Sequence, residues 1–150
     1  MRRIELRTAL PTGAESAWTT LVNTQDWPQW GKLVVSAEGT FKPGCVWTMQ
    51  LRGKGGRLPR TMHPRFVSMI EGQQLAFETL IGAAWLVKML HVFDIEPDGE
   101  GRSVLVQRFE ISGALVAVLW PVLRGGMLQF DELGDDLARR LEQGLSRPPN

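Results

Sequence analysis

Residues 113–141 read GALVAVLWPVLRGGMLQFDELGDDLARRL, and this stretch decides the fold. Leu119, Leu123, Met127, Phe130, Leu133, Leu137 and Leu141 recur every three or four positions, so one face of an α-helix carries them all. At ~1.5 Å per residue, about 28 residues make a rod of roughly 40 Å. Asp135 with Arg139 and Asp136 with Arg140 are i,i+4 pairs in the favoured orientation. Together with Asp131 and Glu132 they read as a solvated face rather than a carboxylate dyad. Pro121 should kink the rod, and Gly125-Gly126 should soften it.

Upstream of Gly113 the chain has mostly the period of two that marks half-buried strands. In residues 3 to 10, Ile4, Leu6 and Leu10 fall on one side, and Arg3, Glu5 and Arg7 on the other. Pro11 stops that strand, and Thr12-Gly13-Ala14-Glu15 matches a capping box. Ala14, Ala17, Trp18, Leu21 and Val22 then form the stripe of an amphipathic helix that Asn23 ends. Asp26 to Gly31 allows a second short helix or turn carrying Trp27 and Trp30. Leu33–Thr40 reads as a strand, and Lys42-Pro43-Gly44 as a turn. In Cys45–Leu51 the odd positions face a core. Gly53 to Arg57 reads as a mobile loop. Thr61–Ile70 is a strand that Pro64 forces to an edge or a bulge, which leaves open the face it presents. Leu75, Phe77, Thr79 and Ile81 share a face, as do Trp85, Val87, Met89, His91, Phe93 and Ile95. After the turn Pro97–Gly101, the last strand points Leu105, Gln107, Phe109 and Ile111 inward.

The order is strand, two short helices, six antiparallel strands, one long helix. That predicts an α+β fold in which a seven-stranded antiparallel sheet needs a cover on its dry face. Only the C-terminal rod is long enough to provide it. Length and composition agree: 150 residues, 43% apolar and 22% charged, suit one globular domain over 1–150 and argue against disorder. Ser146–Asn150 reads as a frayed tail. With 17 basic and 16 acidic residues, the chain lacks the basic footprint of a nucleic-acid binder. A single cysteine, Cys45, excludes an internal disulfide and a multi-cysteine zinc site, and fits a small core residue. Gly53-Lys54-Gly55-Gly56 lacks the Lys-Ser/Thr ending of a phosphate loop, and no cofactor is expected. The N-terminus has no apolar targeting segment, and Ala114–Leu123 is too short to span a bilayer. Cytoplasmic residence without stable membrane insertion is the expectation.

Three groups of residues carry a family resemblance across nearly the whole chain. They are Ala14-Glu15-Ser16-Ala17-Trp18 with Asp26-Trp27-Pro28-Gln29-Trp30, then His91-Val92-Phe93-Asp94-Ile95-Glu96-Pro97 before a Gly-rich turn, then Phe109-Glu110-Ile111-Ser112-Gly113 opening the final helix. In that order and spacing they resemble the helix-grip fold of the START/Bet v 1-like (SRPBCC) superfamily, and within it small bacterial polyketide cyclase/dehydrase-like proteins. The resemblance implies a curved seven-stranded sheet gripping the helix around an elongated apolar cavity. It implies binding of a lipid, polyketide or other hydrophobic small molecule. It implies no single reaction, and it carries no catalytic motif to transfer.

The inward residues suit such a cavity. Trp47, Met49, Phe66, Phe77, Trp85, Met89, Phe93 and Phe109 from the strands, and Leu119, Leu123, Met127 and Phe130 from the rod, are aromatic, sulfur-bearing or aliphatic. Singly, each reads first as core; collectively they favour a cavity. Two polar residues, His91 and Gln107, interrupt these faces. A hairpin turn centred near Gly99–Glu100 sets His91 opposite Phe109 and Gln107 opposite Phe93, so the two polar groups are diagonal neighbours. Buried and unpaired, each would cost on the order of 1–3 kcal/mol, so they pair with each other, with water or with a ligand. His91 is also the candidate acid/base. His63 and Arg65 default to solvent unless the Pro64 bulge turns them in. His63 and His91 lack the neighbours of a metal site, and none is expected.

Three functions compete. The first is a binder of a hydrophobic small molecule, working as a monomer or homodimer. The second is a cyclase or dehydratase with His91 as acid/base and Gln107 orienting a carbonyl. The third is an interaction module using the Trp27/Trp30 loop or a sheet edge. Ala114–Trp120 reads as a lid over the cavity mouth or as plain core.

Overall fold

The computed structural model describes residues 1–53 and 59–146. Among the described residues the alternating segments form eight strands. β1 (Arg2–Leu10), β5 (Arg65–Ile70), β6 (Gln74–Ile81), β7 (Val87–Pro97) and β8 (Ser103–Ser112) make an antiparallel sheet in the order β1-β8-β7-β6-β5. β2 (Val34–Glu38), β3 (Thr48–Leu51) and β4 (Arg60–Met62) make a second, in the order β2-β3-β4. Between β1 and β2 lie α1 (Ala14–Val22), a 3₁₀ turn at Thr24–Asp26 and α2 (Trp27–Trp30). The chain closes with α3 (Val116–Leu128) and α4 (Phe130–Ser146).

The expected single seven-stranded sheet is therefore corrected to five strands plus three. Pro64 is the physical reason. It has no N–H to donate, and at His63-Pro64 the chain leaves the strand conformation. The expected strand Thr61–Ile70 splits there, β4 pairing with β3 and β5 with β6. The sheets stay stitched where they part: Trp47 N–H donates to Pro64 O at 2.7 Å and Phe66 N–H to Cys45 O at 2.8 Å. A bulge between Phe66 and Ser68 flips the parity of β5, burying Phe66 before it and half-burying Met69 after it.

The expected long C-terminal helix is present. It continues through Pro121 and Gly125-Gly126 and has a one-residue interruption at Gln129, which divides it into α3 and α4. The interruption falls beside Phe130, whose carbonyl accepts a 2.8 Å hydrogen bond from Gln107 Nε2 on the sheet. α4 buries Phe130, Leu133, Leu137 and Leu141, as its stripe requires. At Gly134 it presses so close to the sheet that a β-carbon would collide with the Thr8 hydroxyl. α3 sits looser: Val116 and Met127 are buried, Leu119 and Leu123 only in part.

Two local expectations fail. Thr12 does not cap α1. Its hydroxyl lies 3.5 Å from Gly13 O, its carbonyl accepts from Ser103 Oγ at 2.8 Å, and Gly13 takes the N-cap position. Asp136 is not solvated. It is buried, accepting from Lys32 N–H at 2.9 Å and Arg139 Nη1 at 2.8 Å, so it ties α4 to the segment after α2. Among the described residues no helix is long and apolar enough to cross a membrane. Of the Gly53–Arg57 loop, Lys54 to Arg57 lie outside the described residues, as does the tail beyond Ser146.

Candidate functional site

β6 ends at Ile81, β7 begins at Val87, and β8 leads through Gly113 into α3. Gly113 has φ +133°, and a β-carbon there would strike the Leu86 carbonyl. Ala114 N–H donates to Trp85 O at 2.9 Å and Leu115 N–H to Leu86 O at 3.1 Å, fixing α3 to the β6–β7 connection. From that anchor α3 spans away from the sheet, and a cleft of about 350 Å³ opens beneath it. Leu80, Ile81, Val87 and Met89 form one wall, Val122, Leu123, Gly126, Met127 and Phe130 another, and Arg60, Thr61, Met62 and His63 the third. Beneath it, sharing Met62, Thr79, Met89 and Phe130, lies a void of about 20 Å³ lined also by Met49, Phe77, His91 and Phe93. That is room for about one water molecule.

The expected elongated internal cavity is thus mostly filled, and the aromatic residues fill it. Trp47 packs edge-on against Phe77 at 5.5 Å, and Phe77 against Phe66 at 5.8 Å. Trp27 packs against Phe93 at 6.0 Å. Trp47 Nε1 donates to Thr40 O at 3.0 Å, and Trp27 Nε1 to Leu21 O at 2.9 Å. These rings pack edge-on against one another and fill most of the space between sheet and helix.

The sequence-derived site therefore divides. Met89, Leu123 and Met127 line the cleft, and Met49, Phe77, His91 and Phe93 the void beneath. Trp47, Phe66 and Phe109 are buried away from both, and Leu119 is half-buried outside them. Trp85 is misplaced by the sequence reading. The last β6–β7 pair is Ile81 with Val87, so Trp85 falls in the connecting loop, where strand parity lapses, and is 70% exposed. The sequence reading missed Arg60, Thr61 and Met62, because alternation alone cannot say where a broken strand points. His63 is exposed as expected, but at the cleft mouth. Trp27 is fully buried and Trp30 half-buried, so the loop proposed as a docking patch is instead a wedge between α1 and the sheet.

His91 and Gln107 meet as the register expects: His91 pairs with Phe109, Phe93 with Gln107, and His91 Nε2 stands 3.1 Å from Gln107 Oε1. Gln107 Nε2 donates to the Phe130 carbonyl, so Oε1 is the free acceptor and His91 Nε2 carries the proton. The imidazole lies between Phe93 and Phe109, ring centroids 4.1 and 4.0 Å away, with Phe130 edge-on at 4.9 Å. Burial pushes its pKa down to about 3, against the opposing pull of the Gln107 hydrogen bond. At neutral pH His91 is therefore an uncharged donor to Gln107 and a poor match for proton transfer near pH 7.

No protein-family model matches the chain, and no curated protein matches it in sequence. Solved structures do match. A norcoclaurine synthase point mutant of Thalictrum flavum, in complex with a transition-state analogue, superposes with TM-score 0.74 at 13% identity, covering 97% of this chain and 96% of that one. The di-domain ARO/CYC BexL of the BE-7585A biosynthetic pathway gives TM-score 0.75 at 12% identity, over 98% of this chain and 48% of that one. A START superfamily protein of Mycobacterium smegmatis gives TM-score 0.70 at 16% identity, over 94% and 97%. At these identities the likeness is one of fold. The chain has the START/Bet v 1 helix-grip fold, with its sheet divided at Pro64.

Proposed function

We propose that this protein binds a hydrophobic small molecule in the cleft between α3, the β6–β7 end of the larger sheet and β4. The observation that carries this is the unequal packing of the C-terminal rod. α4 seals its half of the sheet, while α3 stands off and leaves about 350 Å³ walled largely by Leu, Ile, Val, Met and Phe side chains. That volume sits at the small end of ligand pockets, which suits one ring system or a medium-length chain. The fold is shared with a START superfamily protein, a norcoclaurine synthase and a di-domain ARO/CYC protein of a biosynthetic pathway, which is in keeping with such a ligand.

A cyclase or dehydratase acting on a polyketide-like substrate is the second reading. Its specific support is that His91 borders the void under the cleft. The low pKa of His91 leaves it a weak base there, so binding without chemistry is the reading preferred. We place the protein in the cytoplasm, as one domain with no stable membrane insertion.

The test is a ligand screen by thermal shift, together with native mass spectrometry of the protein as purified. A ligand at 100 times its Kd stabilises by ~2.7 kcal/mol, which raises the Tm of a chain this size by roughly 5–10 °C. Fatty acids and apolar dyes should produce such shifts, and Leu123→Trp, which fills the cleft, should abolish them. A uniformly flat screen with no retained ligand would refute the proposal. Turnover of polyketone thioesters that His91→Ala abolishes would favour the second reading instead.

A further inference from the structure

The void under the cleft is apolar except at two places. Of its lining residues, Trp27, Thr79 and His91 carry a side-chain nitrogen or oxygen, and Trp27 Nε1 already donates to Leu21 O. His91 Nε2 donates to Gln107, so the neutral ring keeps its lone pair on Nδ1, and no described residue donates to that atom. The residue is only 7% exposed, clasped between Phe93 and Phe109. The fully enclosed side-chain atoms without a partner are Thr8 Oγ1 and Trp30 Nε1 among the described residues. Nδ1 is not one of them, so it touches open space, and the void is the space that His91 borders. Thr79 pairs with Met89, and Phe77 with His91, so the Thr79 hydroxyl and the imidazole are diagonal neighbours on one face. That hydroxyl also has no hydrogen-bond partner among the described residues. Two unpaired polar groups in an apolar hollow are costly, and a single oxygen set between them can pair both.

We infer, resting on the hydrophobic-ligand reading above, that the ligand is an apolar molecule ending in one hydroxyl group. Its body lies in the cleft under α3. Its hydroxyl enters the void of about 20 Å³, donates to His91 Nδ1 and accepts from Thr79 Oγ1. A hydroxyl has about the bulk of the one water molecule that the void can hold. It both donates and accepts, as the pair requires, whereas an ether or aldehyde oxygen only accepts and leaves Nδ1 unpaired. An ionised carboxylate would set its charge against the Nδ1 lone pair in an apolar hollow. Met62 and Met89 line both cleft and void, and their flexible side chains form the part of the partition that yields.

The experiment titrates the full chain, labelled with ¹⁵N-histidine, with decanol and with its isomer 1-methoxynonane, which has the same formula and no donor. Decanol should bind at least about tenfold tighter, the scale of one buried acceptor left unpaired. The His91 Nδ1 signal should move upfield as decanol saturates the protein, as a lone pair does on accepting a hydrogen bond, and should move far less with the ether. This readout needs no variant at His91, where truncation also loosens the core. Thr79→Val should narrow the gap between the isomers about fivefold, because it deletes the hydroxyl's second partner. Equal binding of the two isomers, an Nδ1 signal that stays still or moves as far with the ether, or a Thr79→Val protein with the full preference overturns the hydroxyl assignment and leaves the hydrophobic-ligand reading standing. Failure of both isomers to bind overturns both.

Discussion

His91 is held by three rings and one amide, and each partner sets a different consequence. Removing the ring in His91→Ala opens a hole between Phe93, Phe109 and Phe130 and leaves Gln107 Oε1 without its donor. A loss of about 2–4 kcal/mol in denaturant unfolding is expected. Gln107→Leu should cost about as much, because it strands both the imidazole N–H and the Phe130 carbonyl. The pH dependence follows from linkage. The folded chain protonates His91 only near pH 3, and the unfolded chain near 6.5. The stability gained from burying the neutral ring is therefore whole above pH 6.5 and drains as the pH falls toward 3, by up to about 1.4 kcal/mol per unit. Urea titrations across that window should show a steeper fall for the natural chain than for His91→Asn. Parallel curves would show that His91 is accessible to protons in the fold. At Gly134, alanine should destabilise by about 1–2 kcal/mol despite its better helix propensity, because its methyl meets Thr8. Thr8→Ala in the same chain should restore most of that loss, since it deletes the colliding hydroxyl, which has no hydrogen-bond partner.

At the scale of elements, α3 and α4 belong to different regimes although one stripe runs through both. α4 buries four large side chains in the core, whereas α3 contains Pro121, Gly125 and Gly126 and leaves Val118 and Val122 exposed. Native-state hydrogen exchange should find the α4 amides protected to near the global stability, and those of 117–126 exchanging much faster. Equal protection in both would contradict the standing-off of α3 that creates the cleft. The same contrast marks how far the sequence could be read. The strand faces from Leu75 to Phe77 and from Val87 to Ile95, the His91–Gln107 diagonal and the covering rod all follow from periodicity, which is local. What periodicity cannot carry is where a strand breaks and what then touches it. Pro64 announced a disturbance but not that β4 and β5 would join different sheets, so Arg60 and Met62 went unread as cleft residues. Trp85 kept the parity of β7 on paper only because a loop shares no pleat. Asp136 looked solvated because its partner, the Lys32 amide, lies 104 residues away.

Over the molecule as a whole, the two halves of the C-terminal rod divide the labour, α4 closing the core and α3 roofing the cleft proposed to take a ligand. The methionines report on this directly. Met62, Met89 and Met127 line the cleft, Met49 borders the void beneath it, and Met1 and Met69 lie apart from both. The decisive measurement is a methyl NMR titration of methionine-labelled protein with decanol. The Met62, Met89 and Met127 signals should move together and saturably while those of Met1 and Met69 stay fixed. Methyl signals that remain still at saturating ligand, or that move at Met69 and not at Met127, would contradict this division of labour.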